Sequence, residues 1–112
     1  MLINVHGHGF TVTRAIREHV DKRIRFALAR IDHRLKRVEV RLSDLNGPRG
    51  GVDKRCLIEV RINRHPPVIV TDVQSDLYTS IDRASARAGR TVMRRLSLHN
   101  RRHRPGIIPQ TT

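Results

Sequence analysis

Apolar residues in this chain recur with two different periods, and the order in which those periods alternate leaves few folds open. Between Arg37 and Leu42, Val38, Val40 and Leu42 alternate with Arg37, Glu39 and Arg41; between Arg55 and Asn63, Cys56, Ile58, Val60 and Ile62 hold every second position. A period of two gives a strand one buried and one wetted face. The intervening Asn46-Gly47-Pro48-Arg49-Gly50-Gly51 is turn chemistry, so the two runs read as a hairpin. Leu2 to His6, with Ile3 and Val5 on one face, reads as an earlier strand broken by Gly7-His8-Gly9. Val68 to Val73 reads as a later one, after the turn that His65-Pro66-Pro67 forces.

Elsewhere the period is helical. Ile16, Val20, Ile24, Ala27, Leu28 and Ile31 form one stripe, which predicts a helix from Arg14 to about Asp32 with Thr13 as its N-cap. Leu77, Ile81, Ala84, Ala88, Val92 and Leu96 form a second stripe, on a helix capped by Asp76 or Ser75 and fraying near His99. Gly89 lies inside that helix, where glycine is costly, and is expected to permit close packing on the sheet. The order β-α-β-β-β-α, with every element apolar on one side only, predicts a two-layer α+β sandwich: a four-stranded sheet with both helices on one face. At 112 residues the chain suits one domain, read as residues 1–99, followed by a basic, disordered tail over 100–112.

Charge narrows the function. Lys and Arg number 23 against 10 acidic residues, a formal net charge of +13. Such an excess repels itself in a compact fold and suits a polyanionic partner, whose counterions are released on binding. A membrane binder would carry an apolar helix face rich in Trp, Phe or Leu, but Trp is absent and Phe occurs only at Phe10 and Phe26. No apolar run is long enough to span a bilayer, and Met1 to His6 does not resemble a signal peptide, so a cytoplasmic location is expected. The single Cys56 points to the apolar side of its strand and reads as core.

The second helix is the most informative segment. Arg83, Arg87, Arg90 and Arg94 fall within about 60° of one another on a helical wheel, away from the apolar stripe, with no acidic residue of the helix between them. An ordinary exposed face mixes signs. A row of guanidiniums instead suits phosphates, which they grip bidentately. Arg95 stands beside this row, and Arg14, Arg17, Lys22, Arg23, Arg25 and Arg30 spread charge around the polar side of the first helix, where Glu18 and Asp21 dilute it. With so few aromatics, recognition of RNA shape and phosphates is expected over base reading.

His6 with His8, and His99 with His103, have spacings open to metal ligation but lack companions for a tetrahedral set, so no metal or other cofactor is expected. Asp72, Asp76 and Asp82 are read as cap and surface charge. No nucleophile–base pair, phosphate loop or carboxylate pair appears, so no enzyme and no small-molecule substrate are expected.

Several segments, in order, carry a family likeness. Phe10-Thr11-Val12-Thr13-Arg14-Ala15-Ile16-Arg17-Glu18-His19-Val20, Arg37-Val38-Glu39-Val40-Arg41-Leu42, Asp53-Lys54-Arg55-Cys56 and Asp76-Leu77-Tyr78-Thr79-Ser80-Ile81-Asp82 together resemble the ribosome hibernation-promoting factor and ribosome-associated inhibitor family, in its short form, from Ile3 to about Leu96. The resemblance implies a βαβββα fold similar to double-stranded-RNA-binding domains. It also implies a role as a translation inhibitor of stationary phase and stress. The implied partner is the small ribosomal subunit and its ribosomal RNA, in the channel of messenger and transfer RNA, with a separate ribosome-dimerising factor as a further candidate partner. Arg17, Arg23, Arg87, Arg90 and Arg94 match positions that are basic in the family; Arg83 and Arg95 rest on the charge pattern alone. The alternative is a general RNA- or DNA-binding regulator, such as a transcription modulator, on the same scaffold.

Overall fold

The computed structural model describes residues 1–46 and 52–102, with the backbone alone over 99–102. Strand β1 is Leu2–His8, helix α1 Arg14–Leu28, β2 Leu35–Asp44, β3 Lys54–Ile62, β4 Val68–Gln74 and helix α2 Leu77–Arg102; a 3₁₀ segment, Ala29–Arg34, joins α1 to β2. The sheet order is β1-β2-β3-β4. β1 runs parallel to β2 through the α1 crossover, and the β2–β3 and β3–β4 pairs are antiparallel. This is the expected α+β sandwich. The Gly-rich turn at 47–51 and the tail from 103 onward lie outside the described residues.

Register explains the core. On the helix-facing side, three rows cross the sheet: Ile3-Val38-Val60-Val68, Val5-Val40-Ile58-Val70 and Gly7-Leu42-Cys56-Asp72. Onto them α1 lays Ile16, Val20, Ile24 and Leu28, and α2 lays Ile81, Ala84, Ala88, Val92 and Leu96, all buried. Cys56 is fully buried, and burial together with the charge of Asp72 pushes its thiol up to about 12.

Four expectations need correction. Gly7 does not break β1, which continues to His8 with Gly7 opposite Leu42. A Cβ at Gly7 would lie 2.7 Å from Val12 Cγ2 and 2.8 Å from the Phe10 carbonyl, so glycine lets the chain fold back against the strand. The first helix ends at Leu28, where Thr13 caps its other end (Ile16 N–H to Oγ1, 3.2 Å). Beyond it Ile31 leaves helical geometry (φ −122°, ψ 18°), yet the tighter 3₁₀ turn keeps it buried while the chain swings into β2. Gly89 packs on α1 instead of the sheet: a Cβ there would lie 2.9 Å from the Ala27 carbonyl, so the two helices meet backbone to backbone. Finally, α2 is capped by Asp76, whose carboxylate accepts the Thr79 N–H at 3.0 Å, and its backbone runs to Arg102, past His99.

Beside that helix contact Ser85 is sealed from solvent, and its hydroxyl has no hydrogen-bond partner among the described residues. An unsatisfied buried hydroxyl is costly, and alanine is the better helix former. Ser85→Ala is therefore expected to stabilise the domain by about 1 kcal/mol, seen as a rise of roughly 5 °C in thermal midpoint.

The outer face of the sheet is polar. Glu39 accepts from Asn4 Nδ2 at 2.8 Å and pairs with His6 Nε2 at 2.9 Å, with Arg37 Nε at 3.5 Å. His6 is thus engaged with a carboxylate on its own sheet. The Asn4 bond first, then the His6 bond, hold the Glu39 carboxyl below its ordinary 4.5. A lowered carboxyl stabilises the fold above its unfolded value and loses that contribution as pH falls through its folded value. Stability is expected to be flat in this respect above about pH 5 and to fall below 4.5. Glu39→Gln should remove part of that acid dependence in urea melts taken from pH 6 to 3; identical acid profiles would refute it.

Candidate nucleic-acid interface

Both helices lie on one side of the sheet, and their outward surfaces form one face. Three contacts lock them together. His19 Nε2 meets Asp82 Oδ1 at 2.6 Å, Arg23 Nε lies 3.3 Å from the same oxygen, and the Tyr78 ring stands edge-on to His19 with centroids 4.8 Å apart. Tyr78, 37% exposed, therefore braces the helix pair at the surface. With Ala27 against Gly89, these contacts fix the spacing of the charges on each helix.

The arginine row of α2 is present but divided. Arg90 and Arg94 are exposed, with no acidic partner among the described residues. Arg87 is tied down: one guanidinium nitrogen donates to Asp72 Oδ1 at 2.7 Å and the other to the Thr71 carbonyl at 2.8 Å. Arg83 Nε lies 3.8 Å from the same carboxylate oxygen, although its side chain is mostly exposed. This corrects the reading of Asp72 as surface charge. Asp72 is 8% exposed and sits on the helix-facing side of β4, under α2. Arg95 reaches the Pro66 and Pro67 carbonyls at 3.4 and 3.3 Å and braces the β3–β4 turn.

On α1, His19, Arg23 and Ala27 mark the side facing α2. Arg23 belongs to the two-helix face but is shared with Asp82. Lys22 lies about 100° from Arg23, on the solvent side, and Arg17 about 120° the other way, on the flank turned from α2. Both are exposed. Arg17 therefore does not join the α2 row. Arg30, expected on the first helix, lies exposed in the 3₁₀ segment, and the geometry adds Phe26, 80% exposed. An open groove between the helices carries Arg23, Phe26 and Arg30 on one wall and Arg90 on the other. Phe26 was detectable in sequence as an aromatic about 200° from Ile24 on the wheel, off the apolar stripe.

The electrostatics of this face follow. α2 carries seven arginines and one aspartate, Asp82, which is spent on α1. Arg90, Arg94, Lys22 and Arg30 have no carboxylate partner among the described residues. No helix among the described residues is long and apolar enough to cross a membrane.

A family model described as sigma 54 modulation protein / S30EA ribosomal protein matches residues 3–98. The chain belongs to that family. The resemblance read from sequence thus holds at the family level. Among S30EA-like structures, the N-terminal domain of Protein Y from Thermus thermophilus superposes with a TM-score of 0.69 at 30% identity, over 84% of this chain and 98% of that one. A ribosomal subunit interface protein from Coxiella burnetii gives a TM-score of 0.70 over 87% of this chain and 99% of its own; at 15% identity it shows the fold alone. A chloroplastic ribosome-binding factor, PSRP1 of Spinacia oleracea, is 28% identical over 102 residues. The match takes in 87% of this chain but only 34% of that relative's length.

Proposed function

We propose that this chain is a non-enzymatic, ribosome-associated translation inhibitor of the hibernation type. It binds small-subunit ribosomal RNA in the decoding channel and so excludes messenger and transfer RNA. The observation that carries the reading is the two-helix face, where Arg90, Arg94, Lys22 and Arg30 project with no carboxylate among the described residues to neutralise them. Family membership supports it, as do the relatives named for ribosome binding and for the subunit interface. In this reading Arg90 and Arg94 grip phosphates, and Lys22 and Arg23 flank them. Arg83 and Arg87 contribute from a position shared with Asp72. Arg17 and Arg95 meet RNA only where it wraps past the helix pair.

The mechanism is occupancy. A cationic wedge in an RNA-lined channel displaces other polyanions by releasing counterions and by filling the space. Stationary-phase or stress conditions, in the cytoplasm, are the proposed setting.

The family description also carries the words sigma 54 modulation, which suits the second reading, a regulator that binds nucleic acid generally. Chemical footprinting of total cellular RNA, with and without the protein, separates the two. Protection confined to the decoding region of the small subunit is expected. Protection scattered over many RNAs would favour the regulator, and none at all would defeat both.

A further inference from the structure

Phe26 is the most exposed large apolar side chain among the described residues, and its surroundings are cationic. It lines the groove between α1 and α2. Arg23 and Arg30 share its wall, and Arg90 faces it from α2. The Arg23 guanidinium lies 6.0 Å from the ring centroid and is held there by Asp82. A lone exposed phenylalanine needs no explanation. One that shares a groove with three arginines presents a flat π-face in a positively charged setting, and the ligand complementary to both is a nucleobase with its flanking phosphates. A lipid surface would need several apolar side chains on this face, which Lys22, Arg30, Arg90 and Arg94 occupy instead.

We propose that Phe26 is a stacking platform for one unpaired base of the bound RNA, with the phosphates on either side held by Arg30 and Arg90. The inference rests on the RNA-binding reading and adds to it an interaction with single-stranded RNA. Stacking on an aromatic face is tolerant of base identity. The platform would therefore recognise that a base is unpaired, and not which base it is.

The test uses the full chain and purified small ribosomal subunits. Phe26→Ala should weaken binding about tenfold, within the range for removing one stacked base. Phe26→Tyr should bind as the parent does, and Phe26→Leu, apolar but without a π-face, should resemble alanine. Because stacking is uncharged, the salt dependence of binding should not change in any of them. Base-specific chemical probing of the subunit RNA should show one nucleotide protected by the parent and the tyrosine variant, and exposed with the alanine variant. Phe26 is at the surface, so the variants should melt with the parent. Parent-like affinity and protection with Phe26→Ala would overturn the platform while leaving the RNA reading intact, as would full activity of Phe26→Leu. Failure of the parent to bind small subunits would overturn both.

Discussion

Replacing Arg90 and Arg94 together by glutamate is expected to lower affinity for small ribosomal subunits by at least about 100-fold, with the fold unchanged. Both side chains are exposed and neither pairs with a carboxylate among the described residues. Each charge-assisted hydrogen bond to a phosphate contributes about 1.5 kcal/mol or more. Removing two such bonds costs about 3 kcal/mol, and the introduced carboxylates then repel the RNA. The same substitutions touch no buried group, so stability should stay within about 0.5 kcal/mol. Co-sedimentation of the parent and the variant with small subunits, alongside thermal melts, reads both quantities. A variant that melts normally and still sediments with subunits would remove the arginine row from the mechanism.

Arg87→Glu is expected to act differently, as the largest loss of stability among the arginine variants. Its guanidinium caps Asp72, a carboxylate buried on the helix-facing side of β4, and bonds the Thr71 carbonyl as well. Removing the cation leaves the buried carboxylate only the Gln74 amide at 2.9 Å and Arg83 at 3.8 Å, and adding a second carboxylate opposes it directly. Arg87 is itself partly exposed, so water relieves some of the penalty. The cost is placed near 3 kcal/mol, the low end for breaking a buried pair, or roughly 15 °C in thermal midpoint. Arg94→Glu, one turn beyond Arg90 on the same row, should melt with the parent. Equal melting of the two variants would show that the Asp72 pairing carries no stability. Weakened binding in an Arg87 variant cannot by itself be assigned to RNA, because the same residue holds α2 to β4.

Periodicity made most of the fold legible. The alternations of β2 and β3 and the stripes of α1 and α2 each bury one face, and a chain with these elements in this order has little choice but a sandwich. What sequence could not supply was register. Asp72 looks like surface charge until β4 is aligned so that it shares a row with Leu42 and Cys56, beneath Arg87. The same holds for Gly89, whose partner is the Ala27 carbonyl across a helix–helix contact, and for Asp82, which reaches back to His19 and Arg23. The candidate site was visible as a row of like charge, since four arginines on one helical face leave a local signal. Which of them are free is a tertiary property. Arg90 and Arg94 keep their charge, Arg87 shares it with Asp72, and Arg95 spends its donors on the Pro66 and Pro67 carbonyls. Phe26 left a signal too, an aromatic off the apolar stripe, but only the groove beside it gives that position a meaning.

The salt dependence of small-subunit binding addresses the pairing of arginine with phosphate most directly, because each phosphate neutralised adds its own share to the slope of log affinity against log salt. The parent should show a steep slope. The Arg90→Glu, Arg94→Glu double variant should show one shallower by about two, since each arginine replaced leaves one phosphate with its counterions. Equal slopes in the two proteins would mean that these guanidiniums do not meet RNA.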